Sequence, residues 1–302
     1  MIRRIFLFVL TNIAIIVMGT IVLWFIQSFF GIDVTGRLDA SYASLAIFAL
    51  IYGFFGSFVS LFLSRWMAKR FYRMKLITLE NLMSCTPQEQ LVYKTVERIA
   101  QQNGIALPEV GIYESREVNA FATGATRNSS LVAASSGLLA QMQADEVEGV
   151  IGHEMTHIMN GDMVTMTLLQ GVINAFVIFL SRAIAQIVAR GERDGERNGM
   201  TFFLVTIVLE ILLGLVGSLI VMAYSRRREF AADAGSATFV GKSKMIHALQ
   251  ALQRIHETNV IIPGDPKLAA LKIDGKTTGF LHLFASHPSL EDRIAHLNNL
   301  HS

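Results

Sequence analysis

A chain of 302 residues with 52% hydrophobic and only 17% charged content falls well below the roughly 25% charge of a soluble domain, so part of it belongs in a membrane. Its net charge of +2 argues against nucleic acid as a partner, because a phosphate-binding surface needs a basic excess. The one cysteine, Cys85, excludes an intrachain disulfide, fits a reducing compartment and matches no metal-thiolate motif.

The first element is an uncharged run from Ile5 to Ile26, preceded by Arg3 and Arg4, long enough to cross a hydrocarbon core of about 30 Å. It exceeds the apolar stretch of about 7–15 residues in a cleaved signal, and no clear small-x-small site follows, so it reads as a retained anchor. After a polar link, Asp33 to Asp39, a second run covers Leu45 to Leu63 and is followed by Arg65, Lys69, Arg70, Arg73 and Lys75. Basic residues flank this hairpin on both sides, which places its two ends in the cytoplasm.

From Leu76 to Thr167 the composition is that of a soluble domain. Pro87 to Gln102 has the spacing of an amphipathic helix, with Leu91, Val92, Val96 and Ile99 on one side. The stretches Pro108–Tyr113, Asn119–Gly124 and Ser130–Ser135 read as three short strands. A small sheet of this kind either packs the next helix or offers an edge to an extended polypeptide.

Ala144-Asp145-Glu146 then opens a helix containing His153-Glu154-Met155-Thr156-His157, the H-E-x-x-H pattern of a zinc peptidase. Residues four apart lie about 40° apart around a helix and roughly 6 Å along it, so both imidazoles reach one metal. Glu154 is the non-ligand carboxylate placed to take a proton from water. Ordinary surface polarity is the alternative, but Val147, Val150, Ile151, Ile158 and Met159 frame the triplet, and polar groups in apolar surroundings need partners.

A third apolar run, Leu168 to Ala189, is interrupted by Asn174, Ser181, Arg182 and Gln186; after a polar loop, a fourth runs from Phe202 to Tyr224 and contains Glu210. A central arginine costs about 2.5–3.5 kcal/mol in a bilayer. Either Arg182 and Glu210 face a polar interior, where they could pair, or these segments are partly embedded. Arg226-Arg227-Arg228 returns the chain to the cytoplasmic side.

A catalytic zinc takes three protein ligands. Asn160 and Met163 stand where the metzincin pattern needs glycine and histidine. Asp162, five residues past His157, falls on a different helix face; Glu192 and Glu196 lie across the membrane, and Glu210 within it. Glu229 remains, with a salt bridge to the adjoining arginines as its alternative role. Asp233, one turn further, is placed to accept from the second ring nitrogen of a metal-bound histidine.

These motifs, together with Asn119-Ala120-Phe121-Ala122, Asn160-Gly161-Asp162 and Ser286-His287-Pro288-Ser289-Leu290-Glu291-Asp292-Arg293-Ile294, resemble those of the HtpX group of bacterial membrane-bound zinc endopeptidases. That group is of gluzincin type and distantly related to the CAAX prenyl proteases. The resemblance covers essentially the whole chain and implies His153, His157 and Glu229 as ligands of one Zn²⁺ and Glu154 as general base. It also implies a cytoplasmic active site in a multi-pass protein of the bacterial inner membrane, acting on damaged or misassembled membrane proteins in the stress response.

The expected fold is a mainly α integral membrane protein: a zincin-like α+β protease domain with a small β-sheet, plus two transmembrane hairpins. Residues 1–66 form the first hairpin, 67–167 the protease half with the zinc helix, 168–225 the second hairpin and 226–302 the half with the third ligand. His287 and Arg293 are candidate donors to the oxyanion of the scissile carbonyl, with helix capping and structural charge as their alternatives. Asn119, Ala120, Phe121 and Ala122 are the candidate substrate edge. Expected partners are the lipid bilayer and membrane protein substrates, with membrane chaperones or other proteases as further candidates and no nucleic acid. A prenyl-peptide processing protease and a non-catalytic zinc-containing membrane adaptor are the rival functions.

Overall fold

The computed structural model describes residues 41–190, 195–260 and 287–300, with a few helical positions between Ile21 and Phe29. Most of the expected first apolar run therefore lies outside the described residues. The chain divides into two units, one made of residues 1–60 and 166–221, the other of residues 61–165 and 222–302.

The first unit is helical. It contains most of α1 (Tyr42–Tyr72) and holds the apolar stretches of two later helices, α5 (Asp162–Arg190) and α6 (Gly195–Val240). All three are long and apolar enough to cross a membrane. Glycines let their backbones approach, as in other membrane bundles: a Cβ on Gly53 would lie 2.6 Å from Ala175 Cα, and one on Gly171 would strike the Phe54 ring. Arg182 and Glu210, which interrupt the apolar stretches of α5 and α6, face one another, Arg182 Nη2 standing 3.7 Å from Glu210 Oε1, with the guanidinium 4.9 Å from the Phe48 ring centre.

The second unit is built around a sheet of four strands, β1 (Lys75–Ile77), β2 (Glu109–Tyr113), β3 (Ala120–Thr126) and β4 (Ser129–Ser135), in the order β1-β2-β4-β3. β2 and β4 run parallel, and β1 and β3 add antiparallel at the two edges. The strand β1 went unread in the sequence because it is short and begins on a lysine. α2 (Pro87–Gln102) starts with a capping box in which Thr86 Oγ1 accepts from Glu89 N and Glu89 accepts from Thr86 N. Its Val92, Val96 and Ile99 join Val110, Ile112, Val132 and Ala134 of the sheet and Val147, Ile151, Met155 and Ile158 of α4 (Ala144–Asn160) in one core. A short α3 (Ser136–Gln141) links sheet and α4, while α7 (Lys242–Val260) packs on α4 and α8 (Leu290–Asn299) packs on α7.

The fourth apolar run does not end its helix at Tyr224. α6 continues to Val240 because the segment past the arginines holds no proline and no left-handed residue before Gly241, whose φ of 103° ends it. Ser225, Glu229, Ala232, Asp233, Ser236 and Val240 form the buried face of this extension, the three-to-four spacing of a helix side.

Candidate metal centre

Glu146 accepts from Gln143 N at the start of α4, and Gly161, at φ 69°, closes the helix one residue past Asn160. Within these limits His153 and His157 occupy consecutive turns of one buried face, with Glu154 half-buried beside them. Each ring is held from behind by a carboxylate. His153 Nδ1 lies 2.9 Å from Asp233 Oδ1, and His157 Nδ1 lies 2.6 Å from Asp162 Oδ2. Carboxylates only accept, so each imidazole donates from Nδ1, and the neutral ring is left with a bare Nε2.

The two Nε2 atoms stand 3.1 Å apart. Glu229 closes the triangle, its Oε2 3.3 Å from His153 Nε2 and its Oε1 3.4 Å from His157 Nε2. Four-coordinate zinc with ligands at about 2.0–2.1 Å places its donor atoms roughly 3.3 Å apart; the Nε2–Nε2 edge fits, and the carboxylate offers a different oxygen to each histidine, one donor atom from each of the three residues lying within 4.8 Å of the others. A second observation agrees: Glu229 is 1% exposed, yet neither of its oxygens has a hydrogen-bond partner of good geometry. A buried anion costs several kcal/mol unless a cation answers it, and a metal at the centre of three converging donors does so. Of the adjoining arginines, Arg228 reaches Glu229 only at 3.9 Å.

The carboxylates also set the protonation of the rings. Burial favours neutral His157, but the neighbouring Asp162 and Glu229 carboxylates outweigh it and raise the imidazole to about 9. His153 is raised in the same way, burial being overcome by Asp233 and Glu229.

The expected residues are brought together to differing degrees. His287, exposed, has Nδ1 2.8 Å from Glu229 Oε2 and so sits at the mouth of the centre. Arg293 is placed otherwise than as a substrate-facing cation: it is buried, with Nε 2.8 Å from Asp233 Oδ2 and Nη2 2.6 Å from Asp233 Oδ1. Its planar fork matches a carboxylate two-for-two, which spends the guanidinium on fixing Asp233. Asp162 was read as facing away from His157, and the structure puts it against that ring; the glycine between them was the available signal.

Asn119 leads into β3, its backbone N donating to Ser135 Oγ and its O accepting from Ser135 N. Ala120, Phe121 and Ala122 follow in the outermost strand, which packs along α4 and has no further strand on its outer edge among the described residues. The Phe121 ring lies 5.8 Å from that of Tyr113. Desolvation pushes the Tyr113 hydroxyl up to about 12, with Glu154 among the charges acting on it.

Comparison with known proteins agrees with this geometry. Residues 87–301 match the profile of peptidase family M48. The chain is 46% identical to the Protease HtpX of Tolumonas auensis, covering 99% of each. It is 48% identical to that of Pasteurella multocida, again over 99% of each, and 49% identical to that of Glaesserella parasuis, over 98% of this chain and 99% of the relative. Among solved structures, the crystal structure of S. mikatae Ste24p shares the fold with a TM-score of 0.63 at 18% identity, covering 98% of this chain and 64% of that one.

Proposed function

Because the chain belongs to peptidase family M48 and is a membrane-bound protease, we propose that it is a zinc-dependent endopeptidase cutting cytosolic segments of misfolded or damaged membrane proteins. The observation that carries this reading is the convergence of His153 Nε2, His157 Nε2 and the Glu229 carboxylate on one point. Three ligands among the described residues, rather than four, leave a coordination position for chemistry, which favours a catalyst over a structural zinc in an adaptor. When bound, zinc supplies a Lewis acid that polarises a carbonyl and acidifies water.

The chain's own residues do the rest. A polypeptide pairs with the outer edge of β3 at Asn119 to Ala122, in the manner of strand addition. Glu154 takes the proton of the attacking water and delivers it to the departing amide nitrogen. His287, exposed beside Glu229, donates to the oxyanion, and preorganised donors of this kind contribute several kcal/mol. Asp162 and Asp233 hold the ring tautomers, with Arg293 fixing Asp233.

In this reading the enzyme belongs to the bacterial inner membrane and has two apolar hairpins and a protease domain made of two sequence halves. The basic residues after each hairpin, Arg65 to Lys75 and Arg226 to Arg228, support a cytoplasmic active site. Membrane chaperones and other proteases are its further partners in the stress response. Metal analysis of the purified full-length protein, joined to casein cleavage with and without a chelator, tests the assignment. One zinc per chain and chelator-sensitive cleavage are expected; cleavage that survives complete metal removal would sink it.

A further inference from the structure

Beside β3 lies a cavity of about 190 Å³ lined by none of the groups assigned above. One wall is the far end of β3 and its turn, with Gly124, Thr126 and Arg127. The other is the end of α4 and the first turn of α5, with Ile158, Gly161 and Val164. Two of the lining residues are glycines. Gly124, at φ 142°, sits in the register shift between Gly124 and Thr126, and a Cβ there would press on the backbone, 2.6 Å from Ser130 Cα. Gly161 turns the chain out of α4 at φ 69°, and a Cβ on it would meet nothing within 4 Å.

The size and chemistry of this space limit what it holds. Sites for whole small molecules run roughly 300–1,000 Å³, whereas an apolar cavity of about 150 Å³ accepts one benzene-sized group. Ile158 and Val164 make the wall apolar, and Arg127 is the ionisable group among the described lining residues. Its position is equally specific. Ile158 in its wall directly follows His157 on α4, which packs along β3, while Gly124 and Thr126 stand three and five residues beyond Phe121 of the candidate substrate edge, about 10–17 Å at roughly 3.3 Å per residue.

We propose that this cavity is a specificity subsite that takes one apolar side chain of a substrate polypeptide paired along β3, three to five residues from the cleaved bond. Arg127 at its edge turns away lysine and arginine there. The proposal rests on the reading above that the edge of β3 binds substrate.

The test uses the full-length protein in detergent with zinc, and quenched fluorogenic peptides varied one position at a time on both sides of one cleaved bond. The wild type should prefer leucine over alanine and lysine by ~10- to 200-fold in kcat/KM at one position three to five residues from the bond, the range a hydrophobic pocket delivers. Val164→Trp fills the cavity from one wall and Thr126→Trp, at an exposed strand position, from the other. Either should bring that ratio close to one while the alanine peptide is cut at the wild-type rate. Chelator-sensitive cleavage without a preference at that distance, or a preference untouched by both variants, overturns the subsite and leaves the protease reading standing. No chelator-sensitive cleavage by the wild type overturns the protease reading, and the subsite with it.

Discussion

His157 Nδ1 and Asp162 Oδ2 stand 2.6 Å apart across the end of a helix, with Gly161 at φ 69° turning the chain between them. Four residues separate the ligand from the group that orients it, and the last of them, Gly161, is left-handed. Removing the partner of a metal-bound histidine typically lowers affinity ~10–100-fold. Asp162→Ala should show that loss in competition with a chromophoric chelator, with the fold retained by circular dichroism. Unchanged zinc affinity would mean that Asp162 serves only the first turn of α5.

Glu154 touches none of the three ligand atoms, so its removal separates chemistry from metal binding. Glu154→Gln should lower cleavage by at least ~10²–10⁴-fold, the contribution of a positioned general base, while one zinc per chain remains. His153→Ala should lose the metal itself. Residual activity of Glu154→Gln in a preparation free of other proteases would remove Glu154 from its role.

Zinc binds the neutral imidazole, whereas His157 holds its proton up to about pH 9 and His153 is shifted in the same direction. The sign follows: a raised value means that protons must leave as the metal enters. Apparent zinc affinity should therefore climb with pH up to about 9, by about tenfold per unit for each proton displaced. Calorimetry at pH 7 in buffers of different ionisation enthalpy measures the protons released. A binding heat independent of buffer contradicts the expected linkage.

Gly149 marks where α4 and α7 meet most closely, since a Cβ there would lie 2.5 Å from Lys244 O and 2.8 Å from Ala248 Cβ. Alanine in a helix gains about 1 kcal/mol over glycine, but forcing apart packed backbone costs about 1–3 kcal/mol. Gly149→Ala should be destabilising by up to about 2 kcal/mol and lower the thermal midpoint. Gly199→Ala, where a Cβ meets nothing within 4 Å, is the control and should not lower it.

The parts of this structure that follow a local period were legible in the sequence. Pro87–Gln102 is a helix with a capped start because Thr86, Pro87 and Glu89 are neighbours in the chain, and the three expected strands appear as short runs of largely apolar and small residues, two of them buried almost throughout. The pair His153 and His157 followed from helix geometry, and Glu229 from the need for a donor. What escaped depends on where the chain turns or meets itself. Asp162 was misplaced by extending helical rotation through Gly161. Arg293 meets Asp233 across 60 residues, a contact set by the docking of α8 on α7 that no periodicity encodes. The length of α6 was missed because the arginines that close an apolar run do not close a helix.

The bond between Arg293 and Asp233 also has a meaning in time. Translation yields His153, His157 and Glu229 well before the arginine that steadies the carboxylate behind His153, 140 positions downstream of that ring. A ribosome-bound chain can already carry every ligand and still have a loosely held imidazole. The complete chain of contacts Arg293–Asp233–His153 is therefore among the last features that synthesis can supply. A chain truncated just before Leu290 should hold zinc more weakly than the full-length protein.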